Sequence, residues 1–201
     1  MMATPAPAVA EVESEPIDGG DAPARAPLTA LLPTGLVRAA VAVGAAGLVV
    51  ASFADFGLSG RALVGAVVCP ALVLLGAIDA KHRLLPNEIV LPSALLVTLV
   101  VAAAAPGRFL EHLEAGLALG FFLFLFAAVF PGGLGMGDAK VGLLIGLALG
   151  SRTLPAMMVA FFLLFLAALW IVARQGISAR KQSIAFGPFL AIGAILAFFF
   201  G

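Results

Sequence analysis

The stretch LEAGLALGFFLFLFAAVF, residues 113–130, carries one charged residue, Glu114, in eighteen positions. In a bilayer a backbone must satisfy its polar groups within its own segment, and a helix of about 20 apolar residues does so. The stretch therefore reads as a membrane-spanning helix. Just beyond it comes GLGMGDAK, residues 133–140, where a carboxylate, Asp138, follows a run of glycines at the start of the next apolar run.

The same pattern fills most of the chain. Of 201 residues, 63% are hydrophobic and 11% charged, and the mean hydropathy is +1.18. Soluble domains carry about 25% charged residues, so water is not the main solvent of this chain. The formal net charge is zero, which gives no support for a nucleic-acid partner. The lone cysteine, Cys69, excludes an internal disulfide and a zinc site of several thiolates. It lies in an apolar run and reads as a small packing residue. Residues 1–35 differ: they are rich in Ala and Pro and carry Glu11, Glu13, Glu15, Asp18 and Asp21. Without apolar periodicity they read as a disordered cytoplasmic tail. No basic stretch precedes a short apolar core there, so a signal peptide is not expected.

The expected fold is all-α, a polytopic bundle of about seven transmembrane helices. The segments are 36–53, 62–79, 88–105, 113–130, 138–150, 154–173 and 184–200. Residues 36–56 read as an extra amino-terminal helix and 62–201 as the main membrane domain, with six helices. Pro86, Pro106, Pro131 and Pro155 fall at boundaries, while Pro70, Pro92 and Pro188 fall inside segments as potential kinks. Lys and Arg concentrate in cytoplasmic loops. With the amino terminus in the cytoplasm, that side receives Arg25, Arg38, Lys81, Arg83, Lys140, Arg174, Arg180 and Lys181. The outer side receives only Arg61, Arg108 and Arg152. This gives a multi-pass plasma-membrane protein with loops 79–87, 131–138 and 174–183 on the cytoplasmic face.

Threading leaves three carboxylates near the cytoplasmic ends of spans: Asp79, Glu88 and Asp138. Ionisable groups within spans are costly and point to function. Asp79 ends one span and Asp138 begins another, at similar depth. Two carboxyls brought close cannot both stay ionised, so the pair holds one proton. One group then activates water while the other protonates a carbonyl or a leaving amine, and peptide hydrolysis needs both acts. His82 and His112 fall on opposite sides, so no His-rich metal cluster forms, and no metal or cofactor is expected. Taken singly, Asp79 also fits a helix-end residue near Lys81 and Arg83, and Asp138 a first-turn acid complementing the helix dipole. Gly132, Gly133, Gly135 and Gly137 let the backbone take φ > 0 and approach another chain closely, so that an extended substrate could reach Asp138; an ordinary flexible loop is the plainer reading.

At this point three motifs align. GMGDAK, residues 135–140, resembles the GxGDxK signature of type IV prepilin peptidases, the membrane-embedded GxGD aspartic peptidases. AIDAKHRLLPNEIV, residues 77–90, resembles that family's second catalytic segment, with Asp79, Arg83, Leu85, Pro86 and Asn87 in order. AFGPFLAIG, residues 185–193, resembles its last helix. The resemblance covers residues 62–200. It implies removal of a short basic leader from prepilins or pseudopilins at the cytoplasmic face, with Asp79 and Asp138 as the catalytic pair. The substrate's apolar helix would lie in lipid beside the enzyme. Gly135, Gly137, Lys140, Arg83, Pro86 and Asn87 would support the site. Lys140 also reads as a positive-inside anchor, Asn87 as a hydrogen bonder to loop backbone, and the 186–189 motif as helix packing.

Larger family members carry an extra domain with paired CxxC motifs and N-methylate their product. With one cysteine, this chain is expected to resemble the short forms that serve Flp-type (tad) pili or archaeal pilins, without methylation. Other readings remain open: a small proton-coupled transporter, a non-catalytic pilus-assembly membrane protein, or a protease of the signal-peptide-peptidase type. The oligomeric state is not legible.

Overall fold

Leu-, Val- and Phe-rich runs without charge close their hydrogen bonds by coiling, and every expected segment contains a helix. The computed structural model of the chain describes residues 28–129, 134–175 and 185–201. The expected tail up to residue 27, together with Pro131, Gly132, Gly133, Arg180 and Lys181, lies outside the described residues. A single turn, α1, Leu28–Leu31, precedes α2, Gly35–Phe56, and α3, Gly60–His82. Then come α4, Asn87–Ala104, α5, Phe109–Val129, α6, Met136–Leu149, α7, Thr153–Gln175, and α8, Gly187–Phe200. Among the described residues there is no strand, and the fold is an all-α membrane bundle. The helices α2 to α5 and the α6–α7 run are long and apolar enough to cross a bilayer. By contrast α6 and α8 have 14 residues each, about 21 Å at 1.5 Å per residue.

Burial separates the helices into inner and outer sets. Over an 18-residue window α3 is 61% buried and α2 only 6%, so α3 is central and α2 peripheral. The short α6 buries ten of its 14 residues. The outer helices expose large apolar side chains such as Leu95 on α4, Phe121 on α5 and Phe165 on α7. In water that surface would be a liability; in hydrocarbon it is the matching solvent. Cys69 is buried and free, as a packing residue should be.

Between lipid-facing helices no hydrophobic force favours contact, so small residues that let backbones approach become the adhesive. The most extensive pairing, α5 with α6, shows this. Gly116 and Gly120 on α5 face Gly142 and Gly146 on α6, each pair four residues apart and so on one face. A Cβ at Gly116 would lie 2.8 Å from Leu147 Cγ, and one at Gly142 2.6 Å from Leu123 Cδ1. In turn, α3, α6 and α8 pack on one another. That arrangement brings the last turn of α3 to the first turns of α6 and α8.

The prolines divide. Pro70 and Pro92 are inside α3 and α4, as expected. Pro188 is not an internal kink: α8 begins at Gly187, so its missing N–H falls in the first turn, where no intrahelical partner exists.

Candidate active site

Asp79 and Asp138 are, with Ser52, the buried polar or charged side chains among the described residues, and each aspartate is 6% exposed. Asp79 lies in the last turn of α3, and Asp138 is the third residue of α6. The helices α3 and α6 pack on one another, so the two aspartates lie on neighbouring helices.

A backbone amide grips each carboxylate. Gly135 caps α6, and its N–H donates to Asp138 Oδ2 at 2.9 Å. The Asp138 N–H returns a bond to the Gly135 carbonyl at 3.0 Å, which closes the first turn. With only a hydrogen for a side chain, Gly135 supplies the backbone half of a capping box alone. The other oxygen, Asp138 Oδ1, is buried and has no hydrogen-bond partner among the described residues. On the facing helix Asp79 Oδ2 accepts from the Gly187 N–H at 2.8 Å, across 108 residues of sequence. Both donors are free amides at helix starts, where the dipole also favours negative charge.

Of the glycines ahead of Asp138 the structure describes Gly135 and Gly137, and neither uses the left-handed freedom open to it. Gly135 has φ −85° and ψ 149°, and neither it nor Gly137 lies at positive φ. Gly137 is instead a matter of space. A Cβ there would stand 2.8 Å from Leu85 Cβ, so only glycine lets the start of α6 press against the α3–α4 loop.

Arg83 does occupy the left-handed region, at φ 53° and ψ 38°, the only non-glycine at positive φ among the described residues. Its N–H donates to the Asp79 carbonyl at 2.9 Å and ends α3. The conformation costs roughly 1 kcal/mol in a residue with a Cβ, and it turns the chain out of α3 into the α3–α4 loop. Pro86 is buried and caps α4, with its carbonyl accepting from Ile89 and Val90. Asn87 does not serve loop backbone as expected. Its Oδ1 accepts from Lys140 Nζ at 2.8 Å, since Lys140 points away from the Asp138 face and toward the start of α4. The Lys140–Asn87 bond thus ties α6 to α4 beside the pair.

The structure therefore brings together Asp79, Asp138, Gly135, Gly137, Arg83, Pro86, Asn87 and Lys140 at one end of the bundle. Glu88 is exposed on α4. His112 is at the far end, with Nδ1 donating to the Leu147 carbonyl at 2.8 Å. Sequence reasoning missed Gly187: its motif was read as packing only, and nothing local announces that its amide meets Asp79. Among the described residues no three His, Cys, Asp or Glu side chains come together as a metal site. The site is chemically a pair of carboxyls, each oriented by one amide and surrounded by apolar helices.

Comparison with known proteins gives the same two segments their context. The Type IV leader peptidase family matches residues 66–173, which contain both aspartates. A "Prepilin leader peptidase/N-methyltransferase" of Bacillus subtilis is 34% identical over 155 residues, 73% of this chain and 59% of that protein. Proteins of the same description match from Burkholderia pseudomallei, 29% identical over 84% of this chain and 56% of that one, and from Dickeya chrysanthemi, 33% identical over 68% and 50%. The chain spans about half the length of the curated relatives it matches. No solved structure matches it. With more than half of its length inside the family's span and 34% identity to the Bacillus relative across 73% of its length, the chain belongs to the Type IV leader peptidase family.

Proposed function

We propose that the chain is an aspartic endopeptidase that removes the short basic leader from prepilins or pseudopilins at the cytoplasmic face of the plasma membrane. The observation that carries this is the pair itself: two buried carboxyls on neighbouring helices, each fixed by one amide, with Asp138 Oδ1 unpartnered among the described residues. In the proposed reaction the ionised carboxylate takes a proton from a water as its oxygen attacks the scissile carbonyl carbon. The protonated partner gives its proton to the carbonyl oxygen. Collapse of the tetrahedral intermediate breaks the C–N bond, and the first carboxyl passes its proton to the leaving amine. The second carboxyl takes its proton back from the intermediate's hydroxyl as the carbonyl re-forms, which readies the pair for another cycle.

Substrate geometry follows from depth. The pair lies at the ends of α3 and α6, not at their middles, so a substrate helix in lipid would present its cytoplasmic boundary to the site. A transporter usually holds its ionisable groups near the midplane, so this placement favours the peptidase reading. Gly135, Gly137, Arg83, Pro86, Asn87 and Lys140 are proposed to position the pair and the loop over it. Residues 1–35, 36–56 and 62–201 are proposed as tail, accessory helix and peptidase domain.

The test is co-expression with a prepilin, following pilin size on a gel. Wild type is expected to produce a leader-sized shift, and Asp79→Asn and Asp138→Asn none. Cleavage by either variant, or absence of cleavage by well-inserted wild type with every pilin tried, would overturn the proposal.

A further inference from the structure

At the end of the bundle away from the aspartates, α3, α4, α5, α6 and α8, with the turn between α6 and α7, enclose a cavity of about 190 Å³. Its wall carries three guanidiniums, Arg61, Arg108 and Arg152, against one carboxylate, Glu111. Deeper along the helices the lining turns apolar, at Val64 and Val101. For a chain with 11 basic residues in all, three of them in one cavity is a concentration that needs a reason.

The side chains there are short of acceptors. The Arg61 guanidinium stacks on the Phe56 ring, 3.9 Å from its centroid, and donates to the Phe198 carbonyl. Its Nε is buried without a partner among the described residues. Glu111 is already engaged, accepting from the Ser151 N–H at 2.9 Å. Starts of α3 and α5 meet ends of α4, α6 and α8 around the cavity, so the helix dipoles add no net positive field and the side chains decide the sign. Gly201 lies on the Arg152 side. Among the lining residues the three guanidiniums outnumber the one carboxylate by two. Arg61 and Arg152 are half-buried and Arg108 is exposed, and a partly buried charge without a counter-ion costs stability.

We propose that this cavity binds a phosphate-type monoanion, with the guanidiniums forking onto its oxygens and its organic part against the apolar lining. Arginine forks match phosphate geometry two bonds at a time. The anion's source is a phospholipid headgroup or a free phosphate, and the experiment separates them. The site lies apart from the aspartates, so it stands or falls independently of the proposed peptidase activity.

The full chain is purified in neutral detergent, and lipid adducts are counted by native mass spectrometry with added phosphatidylglycerol or phosphatidylcholine. Thermal unfolding is followed with inorganic phosphate. Wild type is expected to hold a phospholipid, and each of Arg108→Gln and Arg152→Gln to bind it about tenfold more weakly, the loss of one charge-assisted bond. Arg61→Lys, which keeps the charge but loses the fork, should also weaken it, while Arg38→Gln on α2 should not. Phosphate that stabilises wild type and displaces the lipid supports the site and its phosphate chemistry. Phosphate binding without lipid retention supports the site and assigns the free anion. Equal lipid retention in wild type and the Arg108→Gln/Arg152→Gln double variant, with both unfolding cooperatively, would overturn the proposal. Failure of wild type to respond to lipid or phosphate would overturn it equally.

Discussion

A methyl group at position 187 tests how tightly the Asp79 carboxylate is held. A Cβ there would stand 2.7 Å from Asp79 Oδ2 and 3.0 Å from its Cγ, too close to be absorbed without moving the carboxylate. Displacements of about 1 Å near a reacting centre cost on the order of 10²-fold. Gly187→Ala is therefore expected to lower kcat/KM by about that factor. Gly107→Ala, where a Cβ meets nothing within 4 Å, should leave it unchanged. If the Gly187 variant cleaves at the wild-type rate, the amide does not position Asp79. The aspartates themselves permit a second residue-scale test. A buried carboxylate costs stability where a buried amide costs less, and Asn keeps an oxygen to accept from Gly135 or Gly187. Asp79→Asn and Asp138→Asn are thus expected to lose cleavage while unfolding at the same temperature as wild type or higher. A large drop in stability would mark the acids as structural.

Helix pairing sets the next scale. The glycine faces of α5 and α6 leave no room for branched side chains. At position 142 a new Cβ would already stand 2.6 Å from Leu123 Cδ1, before any branch is added. Gly142→Val is therefore expected to destabilise the protein by about 1–3 kcal/mol, the usual effect of overpacking. Urea or thermal unfolding in detergent would measure it, and unchanged stability would mean that the two helices do not pack through this glycine. The Lys140–Asn87 bond links α6 to α4 on an exposed surface. Lys140→Met and Asn87→Ala should each cost less than about 1 kcal/mol, and a double-mutant cycle should show the two losses failing to add. Full additivity would mean that the bond is not made. Elements of this kind were unequally legible in the sequence. Uncharged runs such as residues 113–130 announce a helix by themselves, so the spans and their order could be read directly. Asp79 and Asp138 stood out because charge is scarce in such runs. The Gly187 amide could not be read, since its partner is 108 residues away and a backbone donor leaves no mark on residue type. Gly137 was visible as a glycine, but whether it served φ or space depended on Leu85 arriving from another loop.

For the whole molecule the decisive property is sidedness. The two ends of the bundle differ in chemistry: the aspartates with Arg83 and Lys140 at one, and the Arg61, Arg108 and Arg152 cavity at the other. We propose that the first end faces the cytoplasm, since seven basic residues against three, with the tail's Arg25 left out, favour that side by the positive-inside rule. Cys69 is fully buried and unpaired, so it offers a quiet background, and Cys69→Ala removes it altogether with the loss of one sulfur atom from the packing. On that background one new cysteine at Leu84, 52% exposed in the α3–α4 loop, and another at Ser151, exposed in the α6–α7 turn, report the two ends. A membrane-impermeant maleimide added to intact cells is expected to label Ser151→Cys at once. Leu84→Cys should react only after the cells are permeabilised. The reverse pattern would put the aspartates on the outer side, where a leader still held in the cytoplasm could not reach them, and the proposed peptidase would have no access to its substrate. Labelling of both positions in intact cells would place neither end behind the membrane and would refute the seven-helix threading itself.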